Sequence, residues 1–343
     1  MSLEEIVALP AAKREEVVSV CGETPLHPVY LTFGEHKRLV HLKLEGENPT
    51  GSMKDRTAFS LVRNLEEQGK LKPGMTIVES TSGNLGVALA SIARARGYHL
   101  VLVVDPKTTP ENLERMSRFG AQIEMVTRAD ECGGYLLSRL KRVQELCQQS
   151  EEYLWTDQYN NPANPAIHYT QTGPEIYHQM QGRVDAVFVP VSTGGTLAGI
   201  GRFFREISPT TQIIGVDAHG SVIFGTPPAP RRLTGIGSSR PSSFLRQGLY
   251  DLHMLVKDEE AFLLCRTLYM STGLMVGGSS GAVLAACTRY LAAHPTIERV
   301  VCVCADRGQS YASTIFHDGW IEPVRLHDVD HVLRSASFEA IVS

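Results

Sequence analysis

The chain has 343 residues, 43% of them hydrophobic and 20% charged, with a formal net charge of −4. That is enough chain for two α/β domains, and the composition is that of an ordinary globular protein. The acidic balance argues against broad nucleic-acid binding, the longest apolar stretches fall far short of a membrane span, and the opening MSLEEIVALPAAKREE does not read as a secretory leader.

The first strong local signal is Asn48-Pro49-Thr50-Gly51-Ser52-Met53-Lys54-Asp55-Arg56. Pro49 and Gly51 mark a turn, and Ser52 with Asp55 reads as an S-x-x-D capping box that places Lys54 just inside a helix. The positive end of a helix dipole disfavours protonation of an amine, and a Schiff base needs the neutral amine. Taken alone, a solvated surface lysine is the simpler reading.

Strands and helices then alternate: strand 76–80, helix 83–95, strand 99–105, helix 110–119, strand 121–126 and helix 134–149. A turn-rich stretch, YNNPANPAIH at 159–168, marks a boundary. The pattern resumes with strand 185–191, helix 196–207, strand 212–218, helices 261–270 and 280–292, and strand 300–306. This order implies parallel sheets with right-handed crossovers. The seven cysteines, Cys21, Cys132, Cys147, Cys265, Cys287, Cys302 and Cys304, lack metal-ligand spacing, so no metal site is expected. Cys302 and Cys304 should face one side of a buried strand, and reduced thiols fit a cytoplasmic protein.

Three loops follow a strand and open a helix, and in parallel sheets such loops gather at the carboxyl ends of the strands. Ser80-Thr81-Ser82-Gly83-Asn84-Leu85-Gly86 offers backbone N–H groups and hydroxyls suited to a carboxylate, and the Asn84 amide suits a phenolic oxygen. Ser192-Thr193-Gly194-Gly195-Thr196 makes a nest for a phosphate; it is neither a Walker A loop nor a dinucleotide fingerprint. Gly277-Gly278-Ser279-Ser280-Gly281 lets a flat ring approach the backbone, with Ser279 able to hydrogen-bond a ring nitrogen. For each loop, plain helix capping is the alternative.

Together the segments NPTGSMKDR, STSGNLG, DQYNNPANPAIH, STGGT, GIG (235–237) and GGSSG resemble the fold-type II pyridoxal-phosphate enzymes, the cysteine synthase and cystathionine β-synthase superfamily, from about Cys21 to about Trp320. The resemblance implies an α/β fold of two domains, each with a mainly parallel twisted sheet flanked by helices, and pyridoxal 5′-phosphate in the cleft between. It implies a small substrate-closing domain at 48–155 and a large cofactor domain made of 1–47 and 156–343. Lys54 would be the Schiff-base lysine and general base. Asn84 would meet the ring 3′-oxygen, Ser192, Thr193, Gly194, Gly195 and Thr196 the cofactor phosphate, and Ser279 the ring nitrogen. Thr81, Ser82 and Gln158 would bind the substrate α-carboxylate, and Gly235 would face the substrate amine. A homodimer acting on small amino acids is implied. A serine at the ring nitrogen suits β-elimination followed by nucleophile addition, a net β-replacement.

Two residues depart from cysteine synthases: Ser192 stands where they usually have glycine, and Leu85 where they commonly have a hydroxyl residue. The segments at 104–113, 132–140, 219–225 and 235–240 look instead like the synthases of the 2,3-diaminopropionate pathway. Those enzymes join O-phospho-L-serine to L-glutamate, giving N-(2-amino-2-carboxyethyl)-L-glutamate and phosphate for siderophore and peptide-antibiotic assembly. A phosphate leaving group needs cations or clustered donors, and Arg139, Tyr159 and Ser192 are the expected contacts. For Arg139 the plain alternative is a solvated helix face beside Lys141 and Arg142. Lys107, Arg240 and the 219–225 loop are candidates for the acceptor's carboxylates. Glu175 reads as a helix-terminal structural carboxylate, and Asp306-Arg307 either closes the ring site or forms a local salt bridge. The rival readings are cysteine synthesis from O-acetylserine or phosphoserine with sulfide, a serine or threonine dehydratase, and a non-catalytic pyridoxal-phosphate sensor, against which an intact Lys54 argues.

Overall fold

The computed structural model describes residues 21–129, 134–321, 324 and 329–341. The N-terminal segment judged above for a leader, and Cys132, lie outside these residues. Two strands open the described chain, β1 (Leu26–Phe33) and β2 (His36–Leu44), paired antiparallel across Gly34 and Glu35. Contacts then divide the chain into two units, one containing Asn48–Ile167 and the other containing Glu23–Glu47 and His168–Ser343.

The first unit runs α1 (Lys54–Glu67), β3 (Thr76–Ser80), α2 (Asn84–Arg96), β4 (His99–Val104), α3 (Pro110–Arg118), β5 (Gln122–Met125), α4 (Leu136–Gln149), β6 (Tyr153–Trp155) and α5 (Ala163–Ile167). Its sheet has the order β5-β4-β3-β6, parallel throughout. Every residue of β3 is buried, because helices cover both faces. Alternate side chains part accordingly: Ile77, Leu100 and Leu102 pack with Leu61 and Leu89, whereas Val78, Val101 and Val103 pack with Val143 and Leu146 of α4. Pro110 begins α3 and Thr109 caps it, its hydroxyl accepting from Asn112 N at 3.3 Å.

The second unit continues from a π-helical turn at His168–Thr172 into α6 (Gly173–Gln179), β7 (Ala186–Pro190), α7 (Gly195–Ile207), β8 (Gln212–Ala218), β9 (Leu252–Val256), α8 (Asp258–Thr272), α9 (Gly278–Ala293), β10 (Val300–Cys304), α10 (Asp318–Ile321), α11 (His331–Arg334) and β11 (Ser337–Ala340). The sheet order is β11-β1-β2-β10-β7-β8-β9. It is parallel from β2 to β9 and antiparallel at the β11-β1-β2 edge. The core joins Val29, Leu31, Phe188, Ile214, Phe262 and Leu284 with the buried thiols of Cys265, Cys287, Cys302 and Cys304. Burial holds the thiols of Cys265, Cys302 and Cys304 protonated, that of Cys304 being pushed up to about 12. Both units have the α/β layering that strand–helix alternation requires. The sequence pattern omitted β1, β2, β6, β9 and β11. No helix among the described residues is long and apolar enough to cross a membrane.

Glu175 is structural, as its position suggested. Lys43 is fully buried, and its Nζ donates to Glu175 Oε2 at 2.7 Å, Thr24 O at 2.7 Å and Gln179 Oε1 at 3.0 Å. All three ammonium hydrogens are used, which is what a buried lysine requires.

Candidate active site

Lys54 is the first residue of α1 and is half-buried, so it is not the freely solvated lysine of the simpler reading. The capping differs from a reciprocal box. The Asp55 carboxylate turns back to accept from Thr50 N (3.1 Å) and Ser52 N (3.4 Å), which is one half of the box. The Ser52 hydroxyl instead accepts from Lys54 N at 3.2 Å, one residue earlier than the box predicts. The tight turn brings residue 54 nearer than residue 55. Asp55 is buried, and burial raises its carboxyl to about 6 against the opposing pull of its Thr50 and Ser52 bonds.

In the same unit, Thr81 follows β3 and its hydroxyl oxygen accepts from both Gly83 N and Gly86 N at 3.3 Å. Capping is therefore part of what Thr81 does. A hydroxyl has one hydrogen left to donate while its oxygen accepts, so capping leaves it able to bind an anion. Gln158 is buried and brought to this loop: its Nε2 donates to Ser80 O at 2.9 Å, committing one of two amide hydrogens. Its own carbonyl accepts from Asn164 Nδ2 at 2.7 Å. Ser82 and Asn84 are half-buried, with Asn84 the first residue of α2. Thr81, Ser82, Asn84 and Gln158 thus sit together at the carboxyl end of β3.

Behind them lies Glu79, which sequence reasoning missed. It has no exposed surface, and its carboxylate accepts from Ser80 N (2.7 Å), Trp155 Nε1 (3.2 Å), Thr156 Oγ1 (2.5 Å) and Gln158 N (3.2 Å). Burial without a cation outweighs these donors and raises the carboxyl to about 7. The available signal was a lone acid inside an otherwise apolar strand.

Arg139 is not on a solvated helix face. It is 8% exposed, and its Nε lies 3.2 Å from Asp105 Oδ2. That contact is an ion pair without hydrogen-bond alignment, since Nε has no hydrogen-bond partner. Asp105 follows β4, which pairs with β3 so that Val103 lies opposite Ser80. The guanidinium therefore belongs to the same edge of the sheet as the Thr81 loop. Lys107 is exposed, with its Nζ 5.9 Å from the centre of the Tyr135 ring. Tyr159 is half-buried.

In the second unit, α7 starts at a turn where Gly194 has φ +88, a region side chains rarely enter. A Cβ there would lie 2.2 Å from Ser242 Oγ, which donates to Thr193 O at 2.6 Å. Gly194, the N-cap of α7, has no side chain with which to cap the first amides of the helix. Thr193 Oγ1 accepts from Gly195 N at 3.3 Å, and Thr196 Oγ1 lies 3.2 Å from Nε2 of the fully buried His168. The other ring nitrogen of His168 meets Thr172 Oγ1 at 2.9 Å. His168 is a second residue whose role the sequence did not reveal.

Ser192 reaches the next loop, donating from Oγ to Gly237 O at 3.3 Å, while Gly237 N donates to Val191 O at 2.8 Å. The segments at 219–225 and 235–240 are woven together: Ser238 N donates to Ser221 Oγ at 3.0 Å, and Val222 N to Ser238 O at 3.0 Å. Under this weave Asp217 is fully buried beside Ser221, and burial raises it to about 6. Arg240 is half-buried, its N donating to Ser238 Oγ at 3.1 Å. Gly235 lies where its Cβ would stand 3.9 Å from Tyr311 Oη. Tyr311 donates to Asp306 Oδ2 at 2.7 Å, and a Cβ on Gly277 would strike Asp306 Oδ1 at 2.0 Å. Asp306 thus braces the third loop, and Arg307 forms the local salt bridge, 3.4 Å to Glu47. Ser279 is the second residue of α9 and buried; no side chain caps that helix, so the capping alternative does not apply there.

Residues 17–306 match the family model described as pyridoxal-phosphate dependent enzyme. Among solved structures, the chain is similar to O-ureido-L-serine synthase, at 30% identity and a TM-score of 0.80, over 89% of this chain and 98% of that one. It is similar to a hydrogen sulfide-producing enzyme, seen as a mutant complexed with an α-aminoacrylate intermediate, at 26% identity and a TM-score of 0.86, over 97% and 98% of the two chains. It is also similar to an O-acetylserine-dependent cystathionine β-synthase from Helicobacter pylori, at 29% identity and a TM-score of 0.80, over 87% and 97%.

Proposed function

We propose, for a chain that belongs to the pyridoxal-phosphate dependent enzyme family, a β-replacement that joins O-phospho-L-serine to L-glutamate. The products are N-(2-amino-2-carboxyethyl)-L-glutamate and inorganic phosphate. The Cβ–O bond of phosphoserine breaks, its electron pair leaving with phosphate, and a Cβ–N bond forms to the glutamate amine, which loses a proton. The product is a step from 2,3-diaminopropionate.

The donor set of this chain fits the cofactor. The turn at Gly194 and Gly195 that opens α7, with Gly195 N bonded to Thr193 Oγ1 and the Thr193 and Thr196 hydroxyls beside it, suits a phosphate. Ser279 suits a ring nitrogen, Asn84 a phenolic oxygen, and Lys54 the carbonyl carbon. When bound, pyridoxal phosphate supplies an electron sink for the α-carbon. Lys54 Nζ takes the α-proton as general base. Thr81, Ser82 and Gln158 hold the α-carboxylate, and Gly235 offers backbone toward the amine. Arg139, Tyr159 and Ser192 bind the phosphate of the substrate, and Lys107 and Arg240 attract the acceptor's carboxylates.

The observation that carries phosphoserine over an uncharged donor is Arg139, a guanidinium buried at the edge of the sheet where the Thr81 loop begins. Asp105 is its one anionic partner among the described residues, and a guanidinium has five N–H donors, enough to serve a second anion as well. Mass analysis of products from the holoenzyme, O-phospho-L-serine and competing nucleophiles tests the reaction. Product with sulfide alone would refute the glutamate assignment. Arg139→Ala is expected to lower kcat/KM for phosphoserine by about 100-fold, from the loss of a charged hydrogen bond of roughly 1.5–3 kcal/mol; unchanged turnover removes Arg139 from the site. The second reading, cysteine synthesis with O-acetylserine as donor, draws support from the O-acetylserine-dependent and hydrogen sulfide-producing relatives.

A further inference from the structure

The carboxylate-binding loop of the first unit is held from behind by one side chain. Both oxygens of Glu79 are used twice: Oε1 accepts from Ser80 N and Trp155 Nε1, and Oε2 from Thr156 Oγ1 and Gln158 N. These four donors come from two stretches of chain. Ser80 leads into the Thr81 loop, and Trp155, Thr156 and Gln158 lie at the end of β6 and just beyond it. Residue 157, between them, has φ +50, a strained conformation for aspartate that the surrounding bonds must maintain. Gln158 is then fixed at three points: its N on Glu79, its side chain on Ser80 O, and its carbonyl on Asn164.

We propose that Glu79 is a positioning residue, whose buried carboxylate sets Gln158 against the Thr81–Ser82 loop and so determines affinity for the substrate's α-carboxylate. The proposal rests on the reading that Thr81, Ser82 and Gln158 bind that group. Above about pH 7, where the acid is ionised and only accepts, a glutamine cannot replace it. Its NH2 would face two donors wherever it was placed, leaving at least one buried N–H or O–H unpaired. Burying an ionisable acid on a central strand is costly. Four donors from two segments are the structural return for that cost.

The test uses the holoenzyme with O-phospho-L-serine as substrate and its carboxamide as competitive inhibitor. Gln158→Ala is the reference. It is expected to raise KM for phosphoserine about tenfold, in keeping with loss of a hydrogen bond to a charged group. Glu79→Gln is expected to raise that KM about five- to tenfold with kcat within about twofold, and to leave inhibition by the carboxamide unchanged. Thr156→Val, which keeps the acid and removes one donor, moves KM in the same direction and covers the case in which Glu79→Gln does not fold. The double variant Glu79→Gln/Gln158→Ala is no weaker than Gln158→Ala, because both act through one contact. Trp155 emission, read in a Trp320→Phe background, reports independently that the Glu79 contact has changed. If emission shifts and Gln158→Ala raises KM, but neither Glu79→Gln nor Thr156→Val does, the positioning role is wrong and the carboxylate reading stands. If Gln158→Ala leaves KM unchanged, the carboxylate reading fails and the proposal with it.

Discussion

Gly194 is held in a conformation that few other residues adopt, at φ +88, with Ser242 Oγ 2.2 Å from the place of a Cβ. Gly194→Ala must rotate Ser242 away from Thr193 O and strain the backbone, at about 1–2 kcal/mol for the left-handed conformation alone. The expected result is at least a tenfold weaker grip on pyridoxal phosphate, read by absorbance during dialysis; wild-type retention would remove the phosphate assignment. Glu79 supports a pH prediction. Its carboxyl titrates near 4.5 unfolded and about 7 folded. Between those values the native state holds a proton that the unfolded chain has released, so its contribution is complete below 4.5 and is lost as pH rises through 7. The nearby titratable group, the Cys147 thiol, is itself raised by burial and stays protonated across the window. Denaturant titrations at several pH values should show wild type losing stability relative to Glu79→Gln, on the order of 3 kcal/mol across the window. Parallel curves would contradict it.

Between elements, the Lys43 ammonium ties β2 to α6 through Glu175 and Gln179. Removing one partner of a buried pair strands the other, so Lys43→Met should cost about 3–5 kcal/mol in urea unfolding. Lys43→Met with Glu175→Leu should recover part of that loss. At this scale the sequence was most legible where strands are apolar on both faces. Segments 76–80, 99–104 and 186–190 are short, mainly hydrophobic runs followed by helical periodicity, and 300–304 is such a run preceded by it. The β1–β2 hairpin was missed although HKRLVHLKL alternates and Gly34-Glu35 is a two-residue turn. Lys43 is part of the reason: it lies in the polar phase, opposite Val40, Leu42 and Leu44, so nothing in the alternation announces its burial. Strands β6 and β11, of three and four residues, are too short to carry a period.

For the molecule as a whole, each unit has its own hydrophobic core. A ligand that binds only the folded chain stabilises it, so removal of pyridoxal phosphate should lower the calorimetric midpoint. At cofactor about 1,000-fold above its Kd the loss is about 4 kcal/mol. An unchanged midpoint would mean that the cofactor is held too weakly to matter. The glycine- and hydroxyl-rich loops of the candidate site could be picked out because their composition is local. Glu79, His168 and Asp217 were not, because their meaning comes from partners distant in the chain. Glu79 meets Thr156 across 77 positions, and Thr196 meets His168 across 28.

Ser192 clasps the Gly237 carbonyl, and Ser238 clasps Ser221. The loop proposed for the cofactor's phosphate and the loops proposed for the acceptor amino acid therefore share hydrogen bonds. A single substitution that moves the Gly237 carbonyl is expected to disturb Ser192 as well. These bonds make Ser192 and the 219–240 region one unit for engineering, to be exchanged together rather than residue by residue.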